Sequence, residues 1–234
     1  MKLIFEREQA VVPVLGMDAL FPVRRVYCVG RNYAAHAREM GANPDREAPF
    51  FFSKPADAVL IENNRLPYPS RTADLHHEVE LVVALGKGGR NLTLQQAEEA
   101  VFGFAVGIDF TRRDLQAEAK QQGRPWDTAK GFDHSAPVSA ITPVAAVAAA
   151  GNINTAQISL AVNGVDRQLG NISDLIWNIN EVIAELSTYY RLKAGDLIFT
   201  GTPAGVSSVL PGDHIEARVE GLQPLQLDIV AEAS

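Results

Sequence analysis

The run Leu75-His76-His77-Glu78-Val79-Glu80-Leu81-Val82-Val83-Ala84 restricts what this chain can fold into more than any other stretch. Its second half is apolar, short and rich in valine, which predicts a strand over 78–85. Side chains alternate across a strand, so Glu78 and Glu80 point to the same face. Two carboxylates side by side on a half-buried strand repel each other, and a divalent cation is the economical offset. A solvated strand face near His76, His77 or an arginine has the same spacing. Asp109 ends a second apolar run, 102–108, and an acid at the tip of a buried strand is well placed to complete a site. Three carboxylates without a thiolate make a hard oxygen site that suits Mg²⁺ or Mn²⁺ and accommodates Ca²⁺.

The remaining punctuation supports a strand-dominated fold. Short apolar strands are predicted at 26–29, 101–108, 196–200, 214–219 and 225–230. Gln157 to Val162 alternates and meets Asn163-Gly164, a strong hairpin signal. Helices are predicted at 32–40 with Gly41 as the stop, at 111–122 closed by Gly123, and at 173–190 capped by Ser173. The segments 42–49 and 62–74 read as exposed loops, and the alanine-rich stretch 144–150 as a helix or connector. This mixture argues for a β-rich α+β domain over a doubly wound parallel sheet. No Gly-x-Gly-x-x-Gly loop or Walker lysine loop is present. The expected organisation is an N-terminal extension, 1–20, packed on a single catalytic domain, 21–234.

Composition excludes several classes. With 47% hydrophobic and 21% charged residues, the 234-residue chain is ordinary globular material. A net charge of −7 repels phosphate backbones, so nucleic acid is not an expected partner. Cys28 is the only cysteine, which rules out an intramolecular disulfide and a thiolate cluster and fits a reducing cytoplasm. The start, MKLIFEREQAVVPVLG, is broken by charges and reads as neither signal nor transit peptide; no stretch is long enough to span a bilayer.

Other residues carry candidate chemistry. His36 and Glu39 are three apart on the first predicted helix, which places them on one face. A carboxylate there can orient the imidazole and raise its basicity toward water. An ordinary surface His–Glu pair has the same spacing. Lys130 lies between aromatic residues and is suited to stabilising an enolate or oxyanion, or to lying along the surface with its ammonium in water. Leu197 to Val206 runs as a strand into a glycine turn, where backbone N–H groups and the Thr202 hydroxyl can hold a carboxylate. Arg31 suits an anionic substrate or a solvated helix face; Gln116 faces either the site or solvent. Pocket shape is expected to depend on 41–49, Arg112, Arg113 and Trp126.

Taken in order, GRNYAAHAREMG, FFSKPADAV, LHHEVELVVALGKGGRN, FGFAVGIDFTRRDLQ, RPWDTAKGFDHSAPV, VNGVDRQ and GDLIFTGTPAGVSSVLPGD resemble the fumarylacetoacetate hydrolase family, in its short acylpyruvate-hydrolase branch. The resemblance implies a mixed β-roll or β-sandwich with a few short helices, and a homodimer. It implies Mg²⁺ or Mn²⁺ held by Glu78, Glu80 and Asp109, a His36–Glu39 catalytic dyad, a catalytic Lys130, and substrate contacts from Thr202, Arg31 and Gln116. The implied reaction is hydrolysis of a C–C bond in a 2,4-diketo acid, fumarylpyruvate above all, in the breakdown of aromatic compounds such as gentisate. One departure is visible: Gly131 follows Lys130 where a serine or threonine is expected, so a hydroxyl contact there is in doubt. The same carboxylates and lysine also suit decarboxylation of oxaloacetate or isomerisation of muconate-type diacids, and a metal-stabilised binding module without catalysis is a further alternative.

Overall fold

Three times the chain leaves one sheet and enters another at the same level, and those crossings organise the molecule. The computed structural model describes residues 4–6, 8–39, 47–60 and 64–231, with residues 37–39 as backbone only. The larger sheet has six strands in the order Thr142–Pro143, Val101–Ile108, Val79–Leu85, Asp196–Phe199, Arg25–Gly30 and Phe50–Lys54. It is mixed: Asp196–Phe199 runs parallel to Arg25–Gly30, and the other neighbours are antiparallel. A second sheet orders Val165–Asn171, Gln157–Val162, His214–Val219, Leu225–Val230 and Arg65–Pro67. Its hairpin turns at Asn163 and Gly164, both with positive φ, as the Asn-Gly pair requires.

A small third sheet joins Thr111–Arg112, Leu75–His77 and Ser207–Val209. Glu78 is the residue between Leu75–His77 and Val79–Leu85, and Asp109 follows Val101–Ile108 just before Thr111–Arg112. The Gly201 turn likewise lies between Asp196–Phe199 and Ser207–Val209.

Every residue of Val79–Leu85 is buried, so the expected half-buried strand is covered on both faces. Leu81, Val83 and Leu85 enter a core shared with Ile158, Leu160, Ile215 and Ala217 of the second sheet. Val82 and Ala84 face a second cluster with Val26, Cys28, Leu197 and Phe199. Val12 and Val14 of the N-terminal segment are buried in that second cluster. Burying a Leu or Val side chain contributes roughly 1.5–3 kcal/mol, so both faces add to holding this strand in register.

Two expected elements are shorter than the pattern suggested. The helix expected at 173–190 is Ile179–Tyr189, because Asn178 caps it: its side chain accepts from Glu181 N–H at 3.1 Å while Glu181 accepts from Asn178 N–H at 3.0 Å. Ser173 instead lies in a single 3₁₀ turn, Ile172–Asp174. The helix expected from 111 is Arg113–Gln122, since Thr111 and Arg112 pair with Leu75 and His76, and it ends at Gly123 with φ 63°. The 62–74 loop contains the strand Arg65–Pro67, paired with Leu225–Val230. The first helix is Ala34–Glu39; its expected stop, Gly41, and the loop segment 42–46 lie outside the described residues. No helix among the described residues is long and apolar enough to cross a membrane.

Candidate metal centre and active-site cleft

Antiparallel pairing brings the carboxylates together. Val79 faces Ile108 and Glu80 faces Gly107, and at the next step Asp109 N–H donates to Glu78 O at 2.8 Å. Glu78 and Asp109 are therefore cross-strand neighbours at the point where both chains change sheets. Glu80 lies one pleat deeper, and its Oε2 accepts from Gly201 N–H at 2.7 Å. Gly201 has φ 104°, and a Cβ there would come within 2.8 Å of Asn32 Cβ, so only glycine brings that N–H to Glu80. Asn32 clamps the turn from the other side: its amide nitrogen donates to Thr200 O at 2.8 Å and Trp177 O at 2.9 Å.

One oxygen from each of Glu78, Glu80 and Asp109 lies within 4.8 Å of the other two, and all three residues are buried. Three cations surround them. Lys130 Nζ donates to Glu78 Oε2 at 2.7 Å and Asp109 Oδ2 at 2.8 Å. Arg113 Nη2 donates to Glu78 Oε1 at 2.6 Å. Lys54 Nζ, fully buried, lies 2.8 Å from Asp109 Oδ1 but outside hydrogen-bonding geometry; it donates instead to the carbonyls of Phe110 and Lys130.

The surroundings push the two glutamates apart. Burial works against a charged Glu78, but Lys130 and Arg113 overcome it and hold the carboxyl well below the usual range. Burial, then Asp109 and Glu78, push the Glu80 carboxyl well above its ordinary value. Lys130 is likewise held charged: burial opposes it, and Asp109 and Glu78 prevail.

The donor set fits a hard divalent ion. It offers only oxygen, Asp109 Oδ1 is buried without a hydrogen-bond donor, and burial with the neighbouring Asp109 and Glu78 charges raises the Glu80 carboxyl pKa, a penalty that a divalent cation beside it would relieve.

The expected site residues meet in one cleft of about 420 Å³, counting its open mouth. Arg31, His36, Gln116, Lys130 and Thr202 line it together with the three carboxylates. His36 is buried, 7% exposed. Glu39 ends the same helix, but its side chain lies outside the described residues. Gln116 Oε1 accepts from Arg113 Nη1 at 2.8 Å, which turns its amide nitrogen away from Arg113. Gly131 supplies no hydroxyl of its own, and Ser135 Oγ donates to Lys130 O at 3.0 Å; a Cβ at Gly131 would lie 3.3 Å from Pro55 Cδ.

Thr202 is held by a buried relay that sequence reasoning missed. Gln168 Oε1 accepts from Val79 N–H at 3.0 Å, and Gln168 Nε2 donates to Pro203 O at 2.9 Å. These backbone partners fix the orientation of the amide, so Nε2 also donates to Thr202 Oγ1 at 2.7 Å, while His77 Nδ1–H donates to Gln168 Oε1 at 2.9 Å. With its oxygen accepting from Gln168, the Thr202 hydroxyl keeps its proton for the cleft. Lys54 was also missed as a site residue, although it ends the aromatic strand Phe50–Lys54 where alternation turns it inward. Arg113, expected only to shape the pocket, contacts Glu78; its i, i+3 spacing to Gln116 was the available signal.

Known proteins resemble this chain in sequence and fold. The family pattern described as fumarylacetoacetate (FAA) hydrolase C-terminal matches residues 25–230. A fumarylpyruvate hydrolase from a Ralstonia species is 44% identical over 192 residues, 81% of this chain and 98% of that protein. An oxaloacetate tautomerase of Escherichia coli is 41% identical over 201 residues, 86% of this chain and 90% of that protein. The crystal structure of a fumarylpyruvate hydrolase from Pseudomonas aeruginosa in complex with Mn²⁺ and pyruvate superposes with a TM-score of 0.95 at 50% identity, covering 99% of this chain and 100% of that one.

Proposed function

Because the chain belongs to the fumarylacetoacetate hydrolase family, we propose that it is a divalent-metal-dependent hydrolase of 2,4-diketo acids that converts fumarylpyruvate to fumarate and pyruvate. The observation that carries the reading is the meeting of three carboxylates, His36 and Lys130 in a single cleft. Mg²⁺ or Mn²⁺ held by Glu78, Glu80 and Asp109 would supply Lewis acidity toward the 1-carboxylate and 2-oxo oxygens.

The chain's own groups carry the remaining steps. Thr202 donates its hydroxyl proton to a substrate oxygen and orients the pyruvyl end. His36, turned by Glu39, takes a proton from water, and the hydroxide adds to the 4-carbonyl carbon. Collapse of that adduct breaks the C3–C4 bond and leaves its electron pair on C3 as the pyruvate enolate. Two of the three Lys130 N–H donors are used by Glu78 and Asp109, and the third serves the developing enolate oxygen. The proton taken by His36 returns to C3, so one water is consumed and two acids leave. The family reading also proposes a homodimer, which sedimentation would test.

The deciding experiment follows diketo acid absorbance in chelated enzyme before and after Mg²⁺ or Mn²⁺ is restored. Fumarylpyruvate should disappear only in the restored enzyme, with pyruvate formed in equal amount. Turnover of oxaloacetate with no consumption of any acylpyruvate would overturn the hydrolase and favour the activity named for the Escherichia coli relative.

A further inference from the structure

The charges around the cleft do not close on the metal centre. Lys54 contacts Asp109, Arg113 contacts Glu78 and Lys130 contacts both, so these three cations are engaged at the metal centre. Arg31 and Lys120 line the same cleft outside that set. Neither makes an ion pair among the described residues; each lies instead over an aromatic ring of the cleft wall. The Arg31 guanidinium carbon is 5.7 Å from the Phe50 ring centroid, and Lys120 Nζ is 5.2 Å from that of Trp126.

The two rings meet edge to face, 86° apart with centroids at 5.5 Å, and form one apolar corner of the cleft wall. Gly30 makes room for it: Phe50 pairs with Gly30 across the sheet, and a Cβ at Gly30 would lie 2.0 Å from the Phe50 ring. Arg31 itself has φ 58°, a left-handed conformation uncommon outside glycine, and it directs the chain from the Arg25–Gly30 strand into the helix that carries His36. Burial, then Arg113 and Arg31, lower the Lys120 pKa, as expected of an ammonium facing other cations without an anion of its own.

We infer that Lys120, together with Arg31, forms a second carboxylate-binding subsite, which selects acylpyruvates whose acyl arm is flat and ends in a carboxylate. This rests on the acylpyruvate reading and adds to it the residues that read the acyl arm. The ion and Lys130 serve the pyruvyl end. The Phe50–Trp126 corner suits a planar conjugated arm, and Arg31 and Lys120 suit the far carboxylate. In a chain of net charge −7, a positive cleft mouth also attracts a dianion more strongly than a monoanion. Lys120 lies one turn beyond Gln116 on the same helix, so one element presents a group to each end of the substrate.

The test crosses substrate charge with side-chain charge. In Mn²⁺-loaded enzyme, K120M is compared with wild type on fumarylpyruvate, which has the distal carboxylate, and on acetylpyruvate, which lacks it. K120M should raise KM for fumarylpyruvate about tenfold and change its kcat little, so the kcat/KM preference for fumarylpyruvate over acetylpyruvate falls about tenfold. K120R should restore most of the preference, and K120E should lower it beyond K120M. Calorimetric titration with fumarate should show the same order of affinities without any turnover. Equal losses on both substrates, or an unchanged preference in both K120M and K120E, would overturn the subsite. If neither substrate is consumed the hydrolase reading fails, and fumarate binding still decides: affinities that do not follow the charge at position 120 reject the subsite.

Discussion

At the residue scale, the three carboxylates and His36 are separable by what they hold. Removing Glu80 takes away one ion ligand and leaves Gly201 N–H without its acceptor, so E80A should lose the bound divalent ion, read as metal content after dialysis. Full activity with unchanged metal in E80A would remove this site from consideration. H36A should keep the metal and lose turnover by roughly 10²–10⁴-fold, the usual contribution of a positioned base. His77 gives a pH signature. Burial lowers its pKa to about 4, so the folded protein favours neutral imidazole. Below the ordinary value of 6.5 the unfolded chain takes up a proton that the folded one refuses. Stability from this group is thus complete above pH 6.5 and declines as pH falls toward 4. The loss is about 2 kcal/mol by pH 5, and the difference in unfolding free energy between wild type and H77N should shrink accordingly between pH 7 and pH 5.

At the element scale, the site depends on how two strands cross from one sheet to another. Gly107 lies opposite Glu80, and a Cβ there would meet Val82 Cγ2 at 2.5 Å and Phe199 Cε1 at 2.7 Å. G107A should therefore cost about 1–3 kcal/mol by overpacking, and by moving the Glu80 strand it should weaken metal retention as well; denaturation and metal titration would read the two effects separately. The carboxylate trio was legible in the sequence because strand alternation and an acid at a strand tip are local patterns. The crossing at Glu78 was not, since the pattern shows only a strand over 78–85, and the pairing of Leu75–His77 in a separate sheet depends on partners more than a hundred residues away, such as Ser207 and Val209. Gln168 was hidden for a similar reason: it sits on a largely exposed hairpin strand, and the packing of that hairpin against the Thr202 turn and the His77–Val79 segment buries it. The long helix was overextended because its apolar spacing continues through Leu175 and Ile176, while the Asn178 cap is a signal of a single residue.

At the scale of the whole molecule, the β-rich α+β architecture followed from short strands punctuated by glycine and proline, but the pairing order of two mixed sheets did not, because each sheet contains parallel neighbours brought together from distant parts of the chain. Chelated protein should keep its secondary structure by circular dichroism and melt at a lower temperature, with a difference that grows with free ion concentration as expected of a ligand bound only by the native state. The ring of Lys54, Lys130 and Arg113 bears on how three acids are tolerated together in a buried place. These side chains offset the charge on two of them, and burial with its two acidic neighbours pushes the third, Glu80, toward its neutral form, so the group repels itself less than three bare carboxylates would. An all-oxygen grip of this kind suits magnesium and manganese alike.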